Sequence, residues 1–211
     1  MKKMILFMLF VTGLTNAQEF KTEERSVIGV FQAEDKNKTE IFSSINKWVS
    51  INYNSSKNVI QMNDLESGTI IIKGINEITY KNTTKVLYPK MKNIPENTTT
   101  KFNHLIEINI KDNKYRIIYK ISDIAEEDYG FNNLILNCIR FDDTNNNSID
   151  EFNLQMDSNL KKALIGEEKR DLFTSMTKPM FDEISSNLIS DLKLTMLLIE
   201  KSVLNSEKDD W

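Results

Sequence analysis

His104 is the only histidine in the 211-residue chain. An imidazole can act as general base to a serine when an acid orients it, but no Gly-x-Ser-x-Gly elbow accompanies this one. His104 shares strand parity with Phe102 and Ile106, so a packed, hydrogen-bonded histidine is expected. One histidine cannot supply a histidine-rich zinc site. Acids cluster at Glu126-Glu127-Asp128 and at Glu167-Glu168. Paired carboxylates hydrolyse glycosides only when fixed across a cleft; as sequence neighbours they read as a solvated face. Asp143, Asn145 and Asn147 match the first ligand positions of a calcium loop. Ser148 then stands where that loop needs glycine and Leu154 where it needs a bidentate glutamate, so a solvated turn is expected. Cys138, the single cysteine, lies in the apolar segment 134–139 and reads as a core thiol. A reactive thiol would want a basic, exposed setting, for which Arg140 and Lys120 are the candidates. Six glycines are too few and too scattered for a phosphate loop. No catalytic, cofactor-binding or metal-ligating residue is assigned on this basis, and no cofactor is expected.

The chain opens Met1-Lys2-Lys3, followed by an apolar run over residues 4–11, then Gly13 and Thr15-Asn16-Ala17. A basic start, a short apolar core and a small residue are the order of an export signal. Cleavage after Ala17 is expected, leaving Gln18 first and a mature chain of residues 18–211. The run is too short to span a bilayer, which takes about 20 residues. No cysteine follows it to carry an acyl anchor, and no second run is long enough to cross. The expected product is periplasmic or secreted, with no transmembrane anchor after cleavage. One cysteine allows no internal disulfide, and the mature chain is long enough to bury its own core. The formal charge is −4; loss of Lys2 and Lys3 leaves 25 basic against 31 acidic residues, a net −6. That balance argues against nucleic acid, whose binding rests on neutralising phosphates. Asparagine is abundant, and sequons such as Asn82-Thr83-Thr84 and Asn97-Thr98-Thr99 receive no role, since such triplets arise by chance in this composition.

These side chains must be placed by a mixed set of elements. Residues 26–33 read as a strand. Residues 37–53 read as a helix, with Ile41, Phe42, Ile45, Trp48 and Val49 on one face and an Asn37/Glu40 capping box; Trp48 is expected in the core. Residues 59–64 and 69–80 form a hairpin about the Leu65-Glu66-Ser67-Gly68 turn. Ile70, Ile72, Ile78 and Tyr80 share its buried face, and Gly74 marks a bulge or bend. Residues 81–100, with Pro89 and Pro95, are a long connection with a short strand at 85–88. A second hairpin follows: Phe102, Ile106, Ile108 and Ile110 on one strand, an Asp112-Asn113 turn, then Tyr115, Ile117, Tyr119 and Ile121. Residues 134–141 read as a strand and 142–147 as a polar loop. Residues 152–165 read as a helix stopped by Gly166, with another turn or two at 172–176. Pro179 is expected in the first turn of a last helix. That helix carries Met180, Phe181, Ile184, Leu188, Ile189, Leu192, Met196, Ile199 and Val203 on one stripe, over about 39 Å. Residues 206–211, ending in Trp211, form a polar tail.

Three local patterns carry a resemblance: Ile45-Asn46-Lys47-Trp48 late in the first helix, Asn63-Asp64-Leu65-Glu66-Ser67-Gly68-Thr69-Ile70 at the first hairpin, and Ile110-Lys111-Asp112-Asn113-Lys114-Tyr115-Arg116 at the second. With the export signal, the chain resembles a family of exported bacterial proteins of unknown function, described as having a fold like the TATA-box-binding protein. The likeness covers residues 27–124, with residues 126–166 as an insertion and Asn113 where glycine is more usual. It implies an α+β, TBP-like fold: a curved antiparallel β-sheet with helices on one face, the long C-terminal helix among them. The family transfers no functional residue. A shared fold does not carry function, so DNA binding does not follow. The function expected is that of a non-enzymatic binding or interaction module, with a protein or envelope polymer as partner and no nucleic acid. The alternatives are an envelope hydrolase using the carboxylates or His104, and a structural subunit assembling through the C-terminal helix.

Overall fold

A computed structural model describes residues 19–53, 55–125, 132–142 and 147–206. The expected export leader over residues 1–17, Gln18, the acids Glu126, Glu127 and Asp128, Asp143 and Asn145 of the expected polar loop, and Trp211 lie outside the described residues. The described residues contain six strands: β1 (Phe20–Glu23), β2 (Ser26–Gln32), β3 (Ile60–Asp64), β4 (Thr69–Lys81), β5 (Asn97–Lys111) and β6 (Lys114–Ile124). They form one sheet in the order β1-β2-β6-β5-β4-β3, antiparallel throughout. The helices are α1 (Lys38–Asn52), α2 (Ser56–Val59), α3 (Thr83–Leu87), α4 (Asn132–Cys138), α5 (Ser148–Lys162) and α6 (Glu167–Leu204).

Period-two patterning decides which face is covered. Val27 and Phe31 of β2, Tyr115, Ile117, Tyr119 and Ile121 of β6, and Phe102, Ile106, Ile108 and Ile110 of β5 are all buried. Ile70, Ile72 and Ile78 of β4 complete that side. Against it pack Ile41, Ile45, Trp48 and Val49 of α1, and Phe181, Ile184, Leu188, Leu192, Met196, Ile199 and Val203 of α6. Steps of three and four along α6 keep that stripe on one side of the helix.

The turns are chemically determined. Gly68 sits at φ 72, and a β-carbon there would run into the Ile110 carbonyl. Asn113 takes φ 65 in the two-residue turn between β5 and β6, a conformation asparagine tolerates. The Asn37/Glu40 capping box is present, with Glu40 N to Asn37 Oδ1 at 3.0 Å and Asn37 N to Glu40 Oε2 at 2.8 Å. Asp112, from the hairpin turn, accepts the Lys38 amide at 2.7 Å, so the turn also caps α1.

Several expectations are corrected. Residues 85–88 are not a strand; they fall in α3 and its C-cap, and Asn82 caps that helix by accepting from Thr84 N and Lys85 N. Residues 134–141 are not a strand either: α4 ends at Cys138, with Leu136 and Cys138 buried. Short apolar runs suit either state, and packing of α4 against α5 and β6 decides for the helix. Gly166 does not stop α5. That helix ends at Lys162, Leu164 takes the left-handed turn at φ 59, and Gly166 is the N-cap of α6. Pro179 is not in a first turn but inside α6, which runs 38 residues. Phe173, Thr177 and Phe181 are buried at successive steps of four, so one packed stripe runs through the proline. The carbonyl that Pro179 leaves without a helical donor belongs to Ser175, which is exposed to water. Gly74 marks no bulge in β4, whose register with β5 is uninterrupted.

Candidate functional site

A polar cluster interrupts the apolar face. His104 of β5 stands directly across from Gly74 of β4, and a β-carbon on Gly74 would lie 2.5 Å from the imidazole Nε2 and 2.6 Å from Cε1. Glycine therefore makes room for the ring. The β5–β6 register shifts between Asn103 and His104, leaving Ser122 as the extra residue; its hydroxyl donates to the Asn103 carbonyl at 3.1 Å.

The protonation pattern follows from one acceptor-only group. The Asn76 amide nitrogen donates to the Asp191 carboxylate of α6, which fixes the amide orientation. Asn76 Oδ1 then faces His104 Nδ1 at 2.6 Å and accepts from the Tyr119 hydroxyl at 3.2 Å. So Nδ1 carries the imidazole proton, and Nε2 accepts from the Tyr53 hydroxyl at 3.3 Å. The Tyr119 ring meets the imidazole edge-on, centroids 4.7 Å apart. Burial lowers the His104 pKa to about 4 and pushes Tyr53 up to about 12, so both groups are neutral at neutral pH. Tyr119 is raised as well, chiefly by burial. The imidazole is neutral, its basic nitrogen is already engaged, and no serine is among its described partners; it holds Tyr53, Asn76 and Tyr119 together, and the Asn76–Asp191 bond ties this cluster to α6.

The other expected groups do not converge with it. Glu167 and Glu168 lie in the first turn of α6, beside a cleft of about 490 Å³ lined also by Tyr88, Leu164 and Lys169. The Lys169 ammonium sits 3.8 Å over the Tyr88 ring. The Cys138 thiol donates to the Ser148 carbonyl at 3.3 Å, and burial pushes its pKa to about 12. Leu154 is exposed on α5, and Asn147 ends the loop as the α5 N-cap without a side-chain cap bond. Among the described residues no group of three or more His, Cys, Asp or Glu could hold a metal ion. Among them, too, no helix is long and apolar enough to cross a membrane.

The sheet face opposite α1 and α6 has a different character. Register places Ile28, Ile118, Glu107, Ile71 and Met62 in one row across five strands. The neighbouring row reads Ser26, Lys120, Leu105, Lys73, and the row on the other side Val30, Arg116, Asn109, Thr69. Ile28, Ile71, Leu105 and Ile118 are half-buried by their neighbours, while Val30 and Ile75 are 50% and 56% exposed. Arg116 donates to Asn109 Oδ1 at 2.7 Å, Asn109 donates to Glu107 at 3.1 Å, and Lys101 pairs with Glu77 at 3.2 Å. Lys73 and Lys120 have no acid partner among the described residues.

Residues 29–126 match the family model described as a domain of unknown function (DUF4468) with TBP-like fold. The matched segment holds nearly all of the open face and most of the histidine network; Asp191 comes from α6, beyond it. Solved structures similar to the chain include the following two. A TBP-like protein from Parabacteroides distasonis is 16% identical, covers 86% of this chain and 94% of its own, and superposes with a TM-score of 0.46. A DUF4468 family protein from Bacteroides ovatus is 16% identical, covers 54% and 62%, and has a TM-score of 0.39. No curated protein matches.

Proposed function

We propose that this chain is an exported, non-enzymatic binding module whose open sheet face receives a protein or polymer of the cell envelope. The observation behind it is the composition of that face. Ile28, Ile118, Ile71 and Met62 share a cross-strand row that Glu107 interrupts, with Leu105 diagonal to it; all five are at least partly open to solvent, and apolar side chains grouped on an uncovered face are the usual makings of an interaction site. The leader at residues 1–17 supports export, with the mature chain beginning at Gln18 and working as one domain. Residues 126–166, which include α4 and α5, serve as an insertion that feeds α6 onto the covered face. The test is retention of envelope components by the mature chain and by Ile118→Asp and Leu105→Asp. A component retained by the native chain and lost by both variants supports the reading. Equal retention by all three contradicts it.

A second reading rests on α6 itself. Leu194, Leu197, Leu198 and Leu204 are 40–56% exposed on its outward side, so the last turns of this helix are apolar on both sides, a pattern that normally accompanies burial. Assembly through α6 predicts a concentration-dependent mass in light scattering that Leu197→Asp abolishes.

A further inference from the structure

We infer that the partner of the open face is a protein segment with an aliphatic stripe flanked by acids. This rests on the binding-module reading and adds the chemistry of the partner. The chain is acidic overall, at −4, yet the open face is not. Lys21, Lys73, Lys81, Lys101, Lys111, Lys114, Arg116 and Lys120 lie on it against Glu23, Asp64, Glu77, Glu107 and Asp123, and Lys21 and Lys101 are already paired with Glu23 and Glu77. The centre has a definite layout. Lys73 of β4 and Lys120 of β6 stand on either side of Leu105 of β5 in one cross-strand row. Adjacent strands are about 4.8 Å apart, so the two lysines leave their strands about 10 Å apart. That is close to the width of one α-helix with its side chains, about 10 Å. A helix laid along β5 would set its apolar face on Leu105, Ile118 and Ile71, and its two flanks over Lys73 and Lys120. Arg116, two residues beyond Ile118 on β6, extends the cationic side.

The same layout disfavours an anionic polymer. Glu107 lies between Ile118 and Ile71 in the central row, where a phosphate chain would be repelled. A protein segment meets Glu107 with a single hydrogen-bond donor in its apolar stripe. Phosphate-driven binding instead calls for many cations acting together.

The experiment uses the mature chain and three probes in fluorescence anisotropy at low salt. Two are helical peptides of about 20 residues sharing one leucine stripe with a central glutamine, one flanked by glutamates and one by lysines. The third is duplex DNA of about 20 base pairs. The glutamate peptide should bind roughly tenfold or more tighter than the lysine peptide. The Lys73→Glu/Lys120→Glu double variant should reverse that preference, and circular dichroism should show the variant folded. An unchanged preference in the variant, equal binding of both peptides, no peptide binding, or tighter binding of DNA each overturns the inference. If the glutamate peptide fails while Ile118→Asp still loses its envelope component, only the partner chemistry is wrong. If Ile118→Asp retains everything, the binding-face reading fails with it.

Discussion

Acidification should destabilise this protein through one side chain. His104 is nine-tenths buried and its pKa is lowered from 6.5 to about 4 by desolvation. Between those two values the unfolded chain binds a proton that the folded chain refuses. Stability therefore falls as pH drops through that window, by about 1.4 kcal/mol per pH unit and about 3 kcal/mol in all. Above 6.5 neither state is protonated and below about 4 both are, so the contribution is flat on either side. The assay is unusually clean because the chain has a single histidine. Its imidazole Cε1 proton gives one NMR signal whose titration should have a midpoint near 4, not near 6.5. Urea unfolding of the native chain and of His104→Gln at pH 7 and pH 4.5 should show a pH-dependent loss larger by about 2–3 kcal/mol in the native chain. Carboxylates common to both proteins cancel in that difference. A midpoint near 6.5, or identical pH dependence of the two proteins, would refute the buried network.

Other perturbations follow from the same geometry. Gly74→Ala puts a β-carbon 2.5 Å from His104 Nε2; displacement of the ring should cost ~3 kcal/mol in chemical denaturation, from overpacking and lost hydrogen bonds, and should move the histidine midpoint up towards 6.5. The Tyr115 hydroxyl is buried without a hydrogen-bond partner among the described residues, so Tyr115→Phe should leave thermal stability unchanged or raise it by up to about 1 kcal/mol. Tyr119→Phe, which strips a donor from Asn76, should lower it by about 1 kcal/mol. Asp112→Ala removes the acceptor of the Lys38 amide and should lower stability by about 1 kcal/mol, the usual worth of a helix cap.

What was legible in the sequence was local chemistry. Asn37 with Glu40, Gly68 and Asn113 act through bonds and dihedrals within a few residues, and each sits where its chemistry requires. Strand parity in β4, β5 and β6 was equally plain, because long alternating runs have one way to bury their apolar side. Shorter segments were not. The four residues of β1 are too few to show a period, and Leu134-Ile135-Leu136 suits a strand or a helix until α5 packs on it. Pro179 hid the true length of α6, although Phe173, Thr177 and Phe181 at steps of four would have revealed it. The burial of His104 was readable from parity. Asn76 shares parity with Ile72 and Ile78 and could have been found the same way, as a polar residue on an apolar face. Asp191, 115 residues from Asn76, needed the tertiary fold. The open face needed register, because Lys73, Leu105 and Lys120 become neighbours only when three strands are aligned.

The central claim is that the open sheet face is where this protein binds. The most direct measurement is site-specific photo-crosslinking in producing cells, with a benzophenone side chain at position 118 on the sheet and, separately, at position 194 on α6. A discrete adduct from position 118, lost in the Lys73→Glu/Lys120→Glu background, is the predicted result. Adducts from position 194 alone, or none from position 118, would contradict it.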